Sequence, residues 1–163
     1  MLLPLMVATA LLVGSLLSYG TAMNLIVRVV VRLIWSGHSE LGFWKGIATM
    51  AIVTLIMMAA HLIQIALWAV AFLLCGQIST FETAFYFSAQ NYTALGYGDI
   101  QLSERWRLLG PLESINGLLF FGLSTAVLFA IMNRLIANRL RTETGYQSGA
   151  AGNREPLSVA GDA

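Results

Sequence analysis

One short stretch of the chain has the residue types and spacing of a backbone ion site. Residues 93–99, called the glycine loop below, read Thr-Ala-Leu-Gly-Tyr-Gly-Asp between two uncharged segments. Glycines on both sides of an aromatic residue predict a backbone that is neither helix nor strand, because glycine reaches left-handed dihedrals without a Cβ clash. Irregular backbone at membrane depth is tolerated only where it is buried in protein or lines a water-filled path. Carbonyls aimed at one axis can replace the water around a cation, so the loop predicts a cation path.

The composition indicates a membrane protein. Of 163 residues, 58% are hydrophobic and 10% are charged, and the mean hydropathy is +0.76. A soluble domain has about 25% charged residues, so this chain cannot cover a soluble surface. The net charge of +1 gives no indication of nucleic-acid binding.

The N-terminal segment predicts a first transmembrane helix within residues 1–35. Residues 1–27 carry no charge, which exceeds the roughly 20 residues needed to span the hydrocarbon core. A cleaved signal peptide is the alternative, but it would have a basic start and a shorter apolar run, so a retained helix is favoured. Arg28 and Arg32, four residues apart, then form an interfacial basic end with Trp35.

The remaining chain divides by charge into a second span, a segment too short to span, and a third span. The 16 uncharged residues 83–98 fit a half-helix that enters the membrane and returns, ending in the glycine loop. The predicted segments are a loop at 36–46, an outer helix at 47–74, a short helix at 80–92, a polar connector at 99–113, an inner helix at 112–135 and a disordered tail at 136–163. Together they predict an all-α membrane protein with three transmembrane helices and one re-entrant helix.

His61 and Gln64 are polar residues near the middle of the predicted outer helix. Polar groups at that depth are costly and often functional. The alternative is a pair whose hydrogen bonds are satisfied by a neighbouring helix, and it is favoured because no carboxylate lies near them in sequence. The few histidines and the single cysteine are scattered, which argues against an enzyme or a metal site.

The basic residues predict the topology. Seven of the nine lie in two regions that share one side of a three-span chain, namely Arg28, Arg32, Lys45, Arg134, Arg139, Arg141 and Arg154. This side is cytoplasmic by the positive-inside rule, which places the glycine loop outside and the C-terminus inside the plasma membrane. Arg134, Arg139 and Arg141 could also attract anionic lipid.

Residues 47–134 resemble the pore unit of potassium channels, whose filter usually reads Thr-Val-Gly-Tyr-Gly-Asp. The residues Gly96, Tyr97, Gly98 and Asp99 are unchanged from that pattern. The resemblance implies a homotetramer, a re-entrant pore helix, and potassium as the permeant ion with no other cofactor. It also implies that the backbone carbonyls of Ala94, Leu95, Gly96 and Tyr97 coordinate the ion.

The resemblance implies supporting roles for residues around the filter. Thr93, Gly98 and Asp99 flank it, and Gln90 stands where some members have a glutamate that braces the aspartate. Tyr86 and Phe87 would belong to an aromatic cuff that receives the Tyr97 side chain. Gly117 stands where the family has a gating hinge, although helix packing through small residues such as Gly122, Ser124 and Ala126 is an equal alternative. The first helix is an addition to the two-helix unit and is expected to pack outside the outer helix.

The chain departs from the family at the innermost ion site. The family threonine, which supplies a carbonyl and a hydroxyl, is Ala94 here, and the valine is Leu95. Thr93 aligns one place too early to substitute without a shift of register. The predicted function is passive potassium conduction. The alternatives are a weakly selective monovalent cation channel and a non-conducting accessory subunit.

Overall fold

The protein is a bundle of four helices, seen in a computed structural model that describes residues 2–35 and 43–152. The helices are α1 (Leu2–Trp35), α2 (Phe43–Leu74), α3 (Phe81–Tyr92) and α4 (Leu109–Gly152), and no strand occurs in these two ranges. Three helical segments are long and apolar enough to cross a membrane: Leu2–Arg32, Gly46–Leu74 and Leu109–Ala137. The predicted all-α class with three spans is confirmed.

Helix α3 is the short helix that delivers the glycine loop. Its 12 residues extend about 18 Å, well short of the hydrocarbon thickness. Thr80 is its N-cap and accepts a hydrogen bond from the Thr83 amide at 3.4 Å. The helix packs between α2 and α4, and its Phe87 ring meets Phe72 of α2 edge-on at 5.0 Å. Burial of this aromatic face holds α3 against the bundle.

A glycine turn ends α2 and starts the connection to α3. Gly76 has φ +65, and its amide donates to the Leu73 carbonyl while the Gln77 amide donates to Phe72. This pair of bonds is the Schellman motif, in which a left-handed glycine satisfies the last carbonyls of a helix. The Gln77 side chain then accepts hydrogen bonds from the Ser103 amide and hydroxyl at 3.1 and 2.7 Å. The two connectors on either side of α3 are thereby tied together.

Helix α1 packs against α2, the outer helix beside which it is expected, and it also packs against α4. Tyr19 of α1 stacks on Phe120 of α4 with centroids 5.0 Å apart, and Asn116 of α4 donates to the Ser15 hydroxyl at 3.3 Å. The α1 sequence does not predict which helices it contacts, because an apolar membrane helix can face any neighbour or lipid.

The helix bounds correct three predictions. Helix α2 begins at Phe43 instead of 47; residues 36–42 of the predicted loop lie outside the described residues. Helix α4 begins at Leu109, so Glu113 belongs to the helix and not to the connector.

The predicted disordered tail is wrong for residues 136–152, which continue α4. No glycine or proline occurs between Ile136 and Thr144, and an established helix adds residues at little cost. Residues 153–163 lie outside the described residues.

Candidate functional site

The glycine loop has an alternating backbone. Ala94, Gly96 and Gly98 have φ values of +57, +57 and +74, whereas Leu95 and Tyr97 between them have negative φ. Successive peptide groups in such an alternation turn to the same side, unlike those in a strand. Two of the three left-handed positions are glycines, which adopt this conformation without strain. The third is Ala94, whose methyl group is the smallest side chain that can be placed there.

The C-terminal end of α3 holds the start of the loop. The amides of Leu95 and Gly96 both donate to the Gln90 carbonyl, at 2.9 and 3.3 Å. The Thr93 hydroxyl donates back to the Ala89 carbonyl at 2.7 Å. The Thr93 hydroxyl is thus turned back toward the last carbonyls of α3, and Ala94 itself has no hydroxyl.

The loop carbonyls remain available for a ligand. Among residues 2–35 and 43–152, no N–H or hydroxyl donates to the backbone carbonyls of residues 94–97. The side chains of Leu95 and Tyr97 are 56% and 67% exposed in the single chain. The unpaired carbonyl oxygens and the helix C-terminus beside them both carry partial negative charge, which is electrostatically favourable for a cation.

Gly117 of α4 packs against the end of α3, from which the glycine loop starts. A Cβ atom added at Gly117 would lie 1.9 Å from the carbonyl oxygen of Tyr92, the last residue of α3. Only a glycine allows the two backbones to approach so closely. Ser114, one turn earlier, donates its hydroxyl to the Asn91 carbonyl at 2.7 Å. Packing on α3 is thus a demonstrated role of Gly117, and its role as a hinge stays a prediction.

Residues 52–134, about half of the chain, match a family model described as an ion channel. The match begins within α2, runs through α3 and the glycine loop, and ends in α4. The chain belongs to this ion channel family. Searches of curated proteins and of solved structures gave no match. The protein is thus an integral membrane ion channel. The ion channel family is not a class of enzymes.

Side chains of α3 hold the C-terminal end of the glycine loop. Gln90 is buried, and its Nε2 donates to Asp99 Oδ1 at 3.1 Å, the bond that the sequence predicts. This bond is the main reason that the pKa of Asp99 is lowered, and a hydrogen bond from Tyr86 adds to the effect. In turn, hydrogen bonding to Asp99 raises the pKa of the Tyr86 phenol. Phe87 points instead into the core against Phe72, away from this brace.

The Gln90–Asp99 bond predicts a pH effect of defined sign. A carboxylate whose pKa is lowered by folding stabilises the folded loop above its ordinary pKa of about 4, and this contribution is lost as the pH falls through the lowered pKa. In Gln90→Ala, the pKa of Asp99 should therefore rise toward its ordinary value. Carboxyl NMR titration of the channel measures the midpoint. Tyr86→Phe removes the smaller contribution and should give a smaller rise; an unchanged or lower midpoint in Gln90→Ala would contradict the brace.

The channel also has a buried polar layer behind the loop. His61, Gln64, Ser88, Tyr92, Glu113, Asn116 and Ser124 are all buried in the four-helix bundle. His61 is hydrogen-bonded to Tyr92 of α3 and Ser124 of α4, as expected for pairing with neighbouring helices. Gln64 meets the expectation only in part: its Oε1 accepts from Tyr92, but its Nε2 has no hydrogen-bond partner among the described residues.

Glu113 is the member of this layer that sequence reasoning missed. The Ser88 hydroxyl lies within hydrogen-bond distance of both Glu113 Oε1 and the Ile65 carbonyl, the latter at 2.8 Å, and its single hydrogen is shared between these two acceptors. Glu113 looks like a connector residue because it is charged, yet it is fully buried. The available signal was its spacing: Glu113 and Asn116 lie three apart, on one face of the helix whose first turn contains Pro111.

Proposed function

We propose that the channel conducts potassium passively and selectively, with the glycine loop as its selectivity filter. The observation that carries the proposal is the alternating backbone of residues 94–98, with its row of unpaired carbonyls. Carbonyls of Ala94, Leu95, Gly96 and Tyr97 replace the hydration shell of the ion. No other cofactor is required.

The working unit of this proposal is a homotetramer. One chain supplies one row of carbonyls, which cannot surround an ion, and closed cyclic assembly of identical chains is the usual solution. The exposure of Leu95 and Tyr97 in the single chain fits a loop that is covered only by other copies. The C-terminal end of α3 in each copy would direct partial negative charge toward the axis and favour a cation.

The proposed orientation places the loop on the outer side of the plasma membrane. It rests on the basic residues, because Arg28, Arg32 and Arg134 are exposed near the ends of the spans on the opposite side from Arg105 and Arg107. Anionic lipid headgroups are the proposed partners of Arg134, and Arg139 and Arg141 continue the same basic segment.

A weakly selective cation channel is the second candidate, and Ala94 is the observation that favours it. In the family, the threonine at this position supplies a hydroxyl oxygen as a ligand at the innermost ion site. Ala94 has no hydroxyl, so these ligands are missing here. The Thr93 hydroxyl lies one position earlier and is turned back toward the Ala89 carbonyl of α3. Selectivity then depends on the backbone carbonyls of Ala94, Leu95, Gly96 and Tyr97, without hydroxyl ligands from position 94.

Ala94→Thr measures what the missing hydroxyls contribute. The variant should raise the ratio of potassium to sodium permeability about fivefold, the factor that corresponds to one modest net hydrogen bond. Ala94→Val is the matched control, since valine imposes the same β-branched strain at φ +57 but has no hydroxyl. Bi-ionic reversal potentials of the two variants give the comparison. Equal ratios in Thr and Val variants would show that the innermost site does not use hydroxyl ligands.

Potassium release from proteoliposomes tests the proposal against an accessory role. Vesicles loaded with potassium and diluted into sodium medium should lose potassium through purified protein alone. A channel predicts release that scales with the protein added. An accessory subunit predicts release no faster than that of empty vesicles.

A further inference from the structure

A single chain of hydrogen bonds links all four helices behind the glycine loop. The Tyr19 hydroxyl lies 3.5 Å from Ser124 Oγ, and Ser124 Oγ lies 2.9 Å from His61 Nε2. His61 Nδ1 lies 2.9 Å from the Tyr92 hydroxyl, which lies 2.6 Å from Gln64 Oε1. All five side chains are buried. The chain therefore runs from α1 through α4 and α2 to the last residue of α3.

Counting hydrogens fixes the direction of this chain. The distance of 2.6 Å between Tyr92 and Gln64 falls in the range of O–H···O bonds and below that of N–H···O bonds, so the amide oxygen of Gln64 faces Tyr92. The single Tyr92 hydrogen is then given to Gln64, and His61 must donate from Nδ1 to the Tyr92 oxygen. A neutral imidazole with its hydrogen on Nδ1 accepts at Nε2, so Ser124 donates to His61 and Tyr19 donates to Ser124.

The hydrogen-bond chain reaches the glycine loop through Tyr92, the residue that precedes the loop. Tyr92 is fully buried, and its ring meets Phe121 edge-on at 5.5 Å while its backbone lies on Gly117. The left-handed residue Ala94 follows two positions later. With its ring, hydroxyl and backbone all fixed, Tyr92 determines where the first carbonyls of the loop lie.

We propose that His61, in its neutral form with the hydrogen on Nδ1, is a positioning residue that sets the register of the glycine loop through Tyr92. The inference rests on the proposed function, in that the loop is taken to be the selectivity filter. His61 touches no ion, and it acts by holding the Tyr92 hydroxyl. A polar chain at membrane depth has no water to replace a lost partner, so breaking it displaces the side chains that depend on it.

The tautomer of His61 is the first test, and it does not depend on ion conduction. The chain has two histidines, His38 and His61, so His38→Gln leaves one imidazole to observe. Nitrogen-15 NMR of the histidine-labelled protein in lipid should show a protonated Nδ1 and an unprotonated Nε2 at neutral pH. A hydrogen on Nε2 would reverse the direction of these hydrogen bonds and overturn the inference. An imidazolium ion, which carries hydrogen on both nitrogens, would also overturn it.

The second test is ion selectivity in hydroxyl variants. Tyr92→Phe and Ser124→Ala should each lower the ratio of potassium to sodium permeability about fivefold, the factor that corresponds to one hydrogen bond. Ser124→Thr keeps the hydroxyl and should restore the wild-type ratio. Thr54→Ala is the control, because the Thr54 hydroxyl is exposed and bonds only to Met50 of its own helix. Thermal melting of each assembled variant verifies that the protein is folded.

The outcomes separate the inference from the proposed function. A wild-type protein that is not selective for potassium contradicts the proposed function, and the inference is then decided by the tautomer alone. A selective wild type whose folded Tyr92→Phe and Ser124→Ala variants keep the wild-type ratio overturns the inference. Melting temperatures that fall while the ratio stays unchanged would assign His61 a purely structural role and also overturn it.

Discussion

Gly117→Ala is expected to prevent assembly of a folded channel. The added Cβ would lie 1.9 Å from the Tyr92 carbonyl oxygen and 2.8 Å from its carbonyl carbon. Both partners are helix backbone, so relief requires α3 and α4 to separate. Overpacking of this kind costs about 1–3 kcal/mol or more in each chain, and the displaced element leads directly into the glycine loop. Size-exclusion chromatography and thermal unfolding of the purified variant measure the effect.

Gly122→Ala is the control for this prediction. It makes the same change on the same helix, five residues later, where no described atom outside the adjoining backbone of α4 lies within 4 Å of the new methyl group. This variant should assemble as the wild type does, since alanine favours a helix more than glycine. A Gly117→Ala protein that assembles and melts normally but opens less often would support a hinge and contradict the packing role.

Gly96→Ala is expected to abolish selective potassium current while the protein still assembles. Gly96 has φ +57 but no atom within 4 Å of an added Cβ, so the effect comes from the backbone. A left-handed conformation costs an L-residue about 1–2 kcal/mol, which is roughly 4–8 kcal/mol over the four chains of the proposed homotetramer. The loop should relax to dihedrals that turn carbonyls away from the ion. Bi-ionic recordings of the variant give the result.

Gly76→Ala is the matched control for backbone strain. Gly76 has φ +65 and open space around it, at the end of α2 and outside the glycine loop. An alanine there should therefore have a backbone strain energy similar to that of an alanine at Gly96. Gly76→Ala should lower the melting temperature and leave the permeability ratio unchanged. If both variants lose selectivity equally, general destabilisation explains the loss and the carbonyl geometry does not.

The local features of the fold and site could be predicted because neighbouring residues determine them. The charge-free runs predict the spans, Thr80 predicts the start of α3, and Gly96 and Gly98 predict the irregular loop. The Gln90–Asp99 bond follows from a resemblance that places the two residues nine positions apart. The role of each carbonyl as an ion ligand stays a prediction.

The long-range features could not be predicted from the chain. His61 and Ser124 are 63 positions apart, and Tyr19 and Ser124 are 105 apart, so no local pattern relates them. The charge of Glu113 suggests exposure, and only contact with Ser88, 25 positions away, explains its burial. The extent of α4 was underestimated because polar residues after 135 look like a tail, although they also favour a helix once one is established.

The reversal potential of purified protein in a planar bilayer tests the proposed function most directly. Potassium bathes one side and sodium the other, so the potential at zero current reports which ion crosses the membrane. Potassium coordination by the carbonyls of Ala94, Leu95, Gly96 and Tyr97 predicts a value near the potassium equilibrium potential. A reversal potential near zero with measurable current would contradict potassium selectivity and identify a weakly selective cation channel.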